Sequence, residues 1–363
     1  EAWMLLPARA VQGASDDIRL EVGGVAHQGA YSKRLEGAQV AALTAAQVSA
    51  LTASQVAAIE PVDLALMSTM ALVRLGTAQV AALTAGQIEA LTSAQLRALT
   101  STQMAALTSE QIAAIETADL VALQPEVIGR LTSAQVQGLT ASQVRELTTA
   151  QVAAMSTTAV SALSAEQMVA LTTDQYRSLS LTQMAALTTT QVAAIPTAAI
   201  QVLDPATVSR LTTAQVGSLT TSQVVALTTD QAAALGTAQV AALSTDQVRS
   251  IEAVDLAQLT TAAVVALSTA QVAALSLTQV AALTPTQLAA METADLAALG
   301  TAQVAVLNGP QLAAMTPTQV AALSTAQITS LQPAALASLS EAAVTALGTA
   351  QTAALTPAQV AAL

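Results

Sequence analysis

The sequence predicts an all-α protein, an α-solenoid of very short capped helices with one helix for each eight-residue repeat. Three observations carry that expectation. Every eighth residue from Leu35 to Leu363 is Leu, Ile or Met, which makes 41 octads without an insertion or deletion. Seven of the nine prolines in this stretch (Pro61, Pro125, Pro205, Pro285, Pro317, Pro333 and Pro357) fall at the third position of the octad. The fifth position is Gln in 29 of the 41 octads, and the consensus reads Leu-Thr-x-x-Gln-Val-Ala-Ala.

The period itself rules out one continuous helix. Eight residues at ~100° each overshoot two turns by about 80°, so a stripe of Leu would wind around the helix instead of facing one side. Proline shows where each helix begins. In a helix interior it costs ~3 kcal/mol, yet at the first helical position it costs almost nothing, because the amide it lacks has no partner there. Position 3 therefore starts a helix and position 2 is its N-cap. Thr44-Ala45-Ala46-Gln47 then reads as a capping box, with Thr and Gln exchanging hydrogen bonds with each other's backbone amide. Of the 29 Gln-bearing octads, all but one have Ser, Thr, Asn or Gly at position 2, the exception being Glu36. Leu43 before the cap and Val48 at the fourth helical position form the matching hydrophobic staple. Each helix has room for about six residues, ~9 Å, and isolated helices of that length are marginal in water. Neighbouring coils must supply the rest, and Ala at positions 7 and 8 lets backbones approach closely.

A longer rhythm overlies the octads. Units without Gln at position 5 begin at Ile59, Ile115, Met155, Ile195, Ile251, Met291 and Leu331, spaced by seven, five, five, seven, five and five octads. Five of them are followed by a second such unit, starting at Met67, Leu123, Leu203, Leu259 and Leu339. This rhythm predicts coils of about five or seven octads with the Gln-free units as corners, or else a lateral contact between neighbouring chains.

Residues 1–34 stand outside the pattern. They hold Trp3, Tyr31, His27 and a strand-like stretch, Ile18-Arg19-Leu20-Glu21-Val22. The expected organisation is a non-repeat N-terminal cap, linker or assembly segment over 1–34, followed by the repeat array over 35–363.

Composition narrows the chemistry. Hydrophobic residues make up 53% of the chain and charged residues 9%, but the apolar content is mostly Ala, and Thr, Ser or Gln interrupts it every few positions. No stretch reaches the ~20 apolar residues that a membrane span needs. There is no Phe, so the core is expected to be a narrow seam. A net charge of −12 argues against nucleic acid as a partner. With no Cys and one His, thiolate metal sites and the usual nucleophile–base pairs have no residues to draw on. No catalytic residue and no cofactor is expected. Paired acids recur at Glu60/Asp63, Glu116/Asp119, Glu252/Asp255 and Glu292/Asp295. Stacked along one corner they would offer oxygen ligands to Ca²⁺; as acids in the first turn of a helix they favour its dipole. Arg74, Arg130 and Arg210 close three of the second Gln-free units and are expected to pair with them.

Leu355-Thr356-Pro357-Ala358-Gln359-Val360 resembles the opening of the repeats in transcription-activator-like effectors, which bind DNA. The 34-residue period, the base-reading dipeptide and the basic charge of that family are missing, so DNA binding does not follow. The tandem Leu-Thr-x-x-Gln-Val-x-Ala array is similar to octapeptide repeat regions of large bacterial surface or secreted, adhesin-like proteins. That resemblance implies a non-enzymatic, extracellular or cell-surface role as a structural fibre, stalk or filament subunit of bacterial origin. The alternative is an adhesin-type binding module presenting an extended Thr/Gln/Ser face. The last octads keep the ordinary consensus, so head-to-tail self-association is expected through residues 1–34 and the C-terminal coil.

Overall fold

In a computed structural model of the chain, residues 37–363 are described. Trp3, His27, Tyr31, Glu36, the stretch 18–22 and the non-repeat segment 1–34 lie outside them. The described residues form 41 helices of four to six residues, from Gly37–Ala41 to Pro357–Ala362, one for each octad. The fold is the expected all-helical solenoid.

Each break between helices falls at positions 1 and 2. Leu51 (φ −63°, ψ 142°) and Thr52 (φ −77°, ψ 161°) are both extended and separate the helix Ala45–Ala50 from Ala53–Ala57. The extended Leu ends one helix, and the Thr caps the next by accepting the Gln55 amide at 3.2 Å. All seven position-3 prolines are the first residue of their helices. The register gives a sharp prediction. Thr220 accepts the Gln223 amide at 3.2 Å, whereas Thr221 is the exposed first helical residue. Thr220→Ala is expected to cost about 1 kcal/mol of local stability, and Thr221→Ala almost nothing. Amide hydrogen exchange over 221–225 separates the two, and equal losses would contradict the register.

The chain divides into two compact units, Glu1–Ala186 and Leu187–Leu363. Both follow one packing scheme. The first holds 19 described helices, ending at Leu181–Ala185, and the second holds 22, starting at Thr189–Ala193. Within each unit a helix packs against the helix three octads along, as Ser109–Ala113 does on Ser133–Gly138 and Pro285–Ala290 on Gly309–Ala314. The core is a seam of position 1 and position 6 side chains. Leu120, Val152 and Ile112 in the first unit, and Val240, Leu256 and Leu288 in the second, are at most 1% exposed.

The coil is tighter than the five or seven octads expected. Side chains reach the neighbouring turn at residues 28 and 31 back along the chain, so one turn takes about three and a half octads. Seven octads are 56 residues, two turns of 28, and bring a Gln-free helix back to the same side of the coil. Five octads are not a whole number of turns. The Gln-free rhythm therefore marks where bridges between turns are omitted, and it does not measure the coil.

Candidate functional site

The feature that organises the molecule is the position-5 glutamine, which does two jobs. In the second unit the Thr220 amide donates to Gln223 Oε1 at 2.8 Å, completing the expected capping box. The other end of the same side chain crosses to the previous turn. Gln223 Nε2 donates to the carbonyls of Val192 at 2.9 Å and Ile195 at 2.7 Å, at the C-terminal end of the helix Thr189–Ala193. Those carbonyls belong to the last turn of a helix, where no amide further along the helix is available to them. The first unit repeats the clasp, with Gln151 Nε2 reaching Leu120 O at 3.0 Å and Leu123 O at 2.9 Å. One buried amide thus satisfies the start of its own helix and the end of another. Gln151 is 1% and Gln223 2% exposed, and among the described residues no buried side-chain nitrogen or oxygen lacks a partner.

This second role was missing from the sequence reading, though a signal for it existed. A capping box accepts Glu as readily as Gln, and the chain carries 23 acidic residues, yet none of the 41 fifth positions is Glu. A carboxylate accepts but cannot donate, so only the amide can reach back to the previous turn.

Where Asp replaces Gln the side chain is too short for both jobs. Asp119 and Asp295 are buried, and each accepts a hydroxyl 26 residues back: Ser93 Oγ for Asp119, and Thr269 Oγ1 at 2.9 Å for Asp295. Asp255 is 3% exposed. Asp63 faces Gly37, whose missing side chain would otherwise meet its Oδ1. Glu60, Glu116, Glu252 and Glu292 are the N-cap residues of these four helices, and their side chains accept no capping hydrogen bond. Among the described residues no three acids come together. The calcium arrangement required stacking along one corner, and the three-and-a-half-octad turn spreads the acids apart instead. The arginines also find other surroundings. Arg130 Nη1 donates to Ser101 Oγ at 3.0 Å, and Ser49 Oγ donates to the Arg74 carbonyl at 3.3 Å. The ion pair among the described residues is Arg177–Asp174, exposed and at 3.0 Å, a kind worth little.

Tyr176 is the one aromatic side chain of the seam. It occupies a position otherwise held mostly by Val, is 1% exposed, and donates from Oη to the Met168 carbonyl at 2.6 Å. Burial pushes its phenol above the usual ionisation range, because the charged form would lose its water. An open depression of about 300 Å³ lies over Glu89, Ile115, Glu116, Thr117, Thr140 and Gln143. It gathers carboxylates and hydroxyls but no base or nucleophile pair.

Fold and clasp together define a tandem-repeat α-solenoid. The chain belongs to the ALTTAQ repeat family, whose repeat is matched eight times, at residues 56–93, 86–114, 112–149, 143–173, 192–229, 200–237, 248–285 and 288–325. Each match spans about four octads, close to one turn of the coil. Among solved structures, a leucine-rich repeat-containing protein, LegL7 from Legionella pneumophila, is similar at 12% identity over 63% of this chain and 78% of that one, with a TM-score of 0.20. Comparison with curated proteins gives no match.

Proposed function

We propose that the chain is a non-catalytic structural protein, an extracellular or cell-surface fibre, stalk or filament subunit of bacterial origin. The observation that supports this reading is where the polar groups of the repeat are used. Thr at the cap and Gln at the fifth position are the repeat's most frequent polar residues, and both are engaged in holding the coil together. Among the described residues no helix is long and apolar enough to cross a membrane. Subunits associate head to tail, residues 1–34 of one copy meeting the last coil of the next, a heterologous contact that propagates.

The alternative is an adhesin-type module presenting an extended Thr/Gln/Ser face. The buried glutamines leave Thr and Ser at positions 3 and 4 to form such a face. Negative-stain microscopy with sedimentation separates the readings. Ordered fibres that disappear when residues 1–34 are deleted, with the helical signal intact, are expected. Isolated particles at high concentration would contradict the filament reading and favour the binding module.

A further inference from the structure

Inside each unit every turn of the coil both gives and receives. It gives glutamine amides to the turn before it and receives them from the turn after. The first and last described coils break this balance in opposite ways. Gln47 and Gln55 cap their own helices, accepting the amides of Thr44 at 2.9 Å and Thr52 at 2.8 Å. Their Nε2 groups have no acceptor among the described residues, and both side chains are half-buried, whereas the bridging glutamines further along the chain are 0–8% exposed. Leu43 and Leu51 are likewise half-buried.

The last coil shows the complement. No glutamine amide among the described residues donates to the carbonyls of Val344, Leu347, Thr352 or Leu355, which end the helices Glu341–Thr345 and Thr349–Ala354. Leu347 and Leu355 are half-buried, and Val360 is 59% exposed, at positions that are otherwise core. One face offers donors over a partly covered apolar edge, and the other offers acceptors over the same kind of edge.

We propose that these two faces join between two copies of the chain, and that the joint uses the same clasp as every internal turn. The inference rests on the head-to-tail reading above and names its contacts. Gln47 of one copy engages the carbonyls of Val344 and Leu347 in the next, and Gln55 engages those of Thr352 and Leu355. This is the 31- and 28-residue register of the interior, with the helix Gly37–Ala41 of one copy following Pro357–Ala362 of the other. The longer rhythm supports the same joint independently. Counted across it, the Gln-free unit at Leu331 and the one at Ile59 of the adjoining copy stand seven octads apart, the spacing that follows two fives within the chain. Seven octads are two whole turns, so the Gln-free sides stay aligned through the joint.

The test is the full chain carrying Gln47→Glu and Gln55→Glu together. Each Glu keeps the carboxyl oxygen that accepts its own N-cap amide, so the helix starts persist and circular dichroism is expected to be unchanged. Each loses the donors, and the two carboxylates would face carbonyl oxygens. By sedimentation, association is expected to weaken by at least about a hundredfold. The variant's own last coil is intact, so it accepts a wild-type end but offers none. Added to wild-type protein at equal concentration, it is expected to shorten the assemblies seen in the microscope. If wild type assembles and the double variant assembles equally well, or leaves wild-type lengths unchanged, the clasp is not the joint and this inference fails. If wild type itself does not assemble, the head-to-tail reading fails first.

Discussion

Gln223→Glu is expected to destabilise its part of the second unit by about 4 kcal/mol, although the change replaces one amide with one carboxylate of nearly the same shape. The capping half of the clasp survives, since a carboxylate oxygen still accepts the Thr220 amide. The bridging half does not. The Val192 and Ile195 carbonyls lose their donor, and each acceptor left without a partner costs about 1–3 kcal/mol. The new carboxylate, at a site where Gln223 is 2% exposed, also stands against their oxygens, and an uncompensated buried charge adds to the loss. Because long repeat arrays do not unfold as one unit, the readout is amide exchange over 189–195 and 221–227. Protection there is expected to fall about a thousandfold, the factor for ~4 kcal/mol, with the first unit unchanged. The loss carries a pH signature. Burial beside carbonyls raises the folded-state pKa of the introduced Glu above its unfolded value of ~4.3. The folded state then binds the proton more tightly, so the variant regains stability as pH falls through the folded pKa and is weakest above it. A variant as stable as wild type at neutral pH would show that the inter-turn bridge contributes nothing.

Gly138→Ala is expected to destabilise the first unit by about 2 kcal/mol, against the direction that helix propensity gives. Exchanging a helical Gly for Ala ordinarily gains up to ~1 kcal/mol. At Gly138, however, a Cβ would lie 2.4 Å from the Ser109 carbonyl oxygen and 2.7 Å from its Cα. Those are backbone atoms of the neighbouring turn and cannot swing away, so the helices Ser109–Ala113 and Ser133–Gly138 would have to separate. Overpacking of this kind typically costs 1–3 kcal/mol. Gly86 is the control. Its Cβ would meet only Pro61 Cγ, at 3.8 Å, an ordinary contact, so Gly86→Ala is expected to stabilise by ~0.5–1 kcal/mol. Opposite signs in amide exchange are the expected outcome. A gain at both positions would mean that the turns are not in close contact at Gly138.

The local structure was legible because its signals are local. Thr44 and Gln47 are three residues apart, and Pro61 or Pro125 marks a helix start by its own covalent ring. The number of octads per turn was not legible in the same way. Gln223 carries the donor, but its acceptors are the backbone carbonyls of Val192 and Ile195, and every residue has a carbonyl, so nothing in the sequence marks the far end of the bridge. The Gln-free spacing filled that gap with five or seven octads because it was the only long period on view. The missing clue was chemical: no Glu at any fifth position of an acidic chain. The acid pairs misled for a related reason. Asp119 and Asp295 look like ligands when read with Glu116 and Glu292 three residues before them. Their partners are instead Ser93 and Thr269, 26 residues back, among many position-3 hydroxyls that look alike in the sequence.

The length of the turn is the central claim, and engineered cysteines test it most directly, since the chain has none of its own. Ser93→Cys with Asp119→Cys places two thiols where Ser93 Oγ and Asp119 Oδ1 are hydrogen-bonded, 26 residues apart. Ser93→Cys with Ser133→Cys places them 40 residues apart, at matching positions of a five-octad coil. Under mild oxidation, or with a short thiol crosslinker, the 93–119 pair is expected to close within one molecule and the 93–133 pair to stay open. Crosslinking of 93–133 in preference to 93–119 would contradict the three-and-a-half-octad turn and, with it, the glutamine clasp.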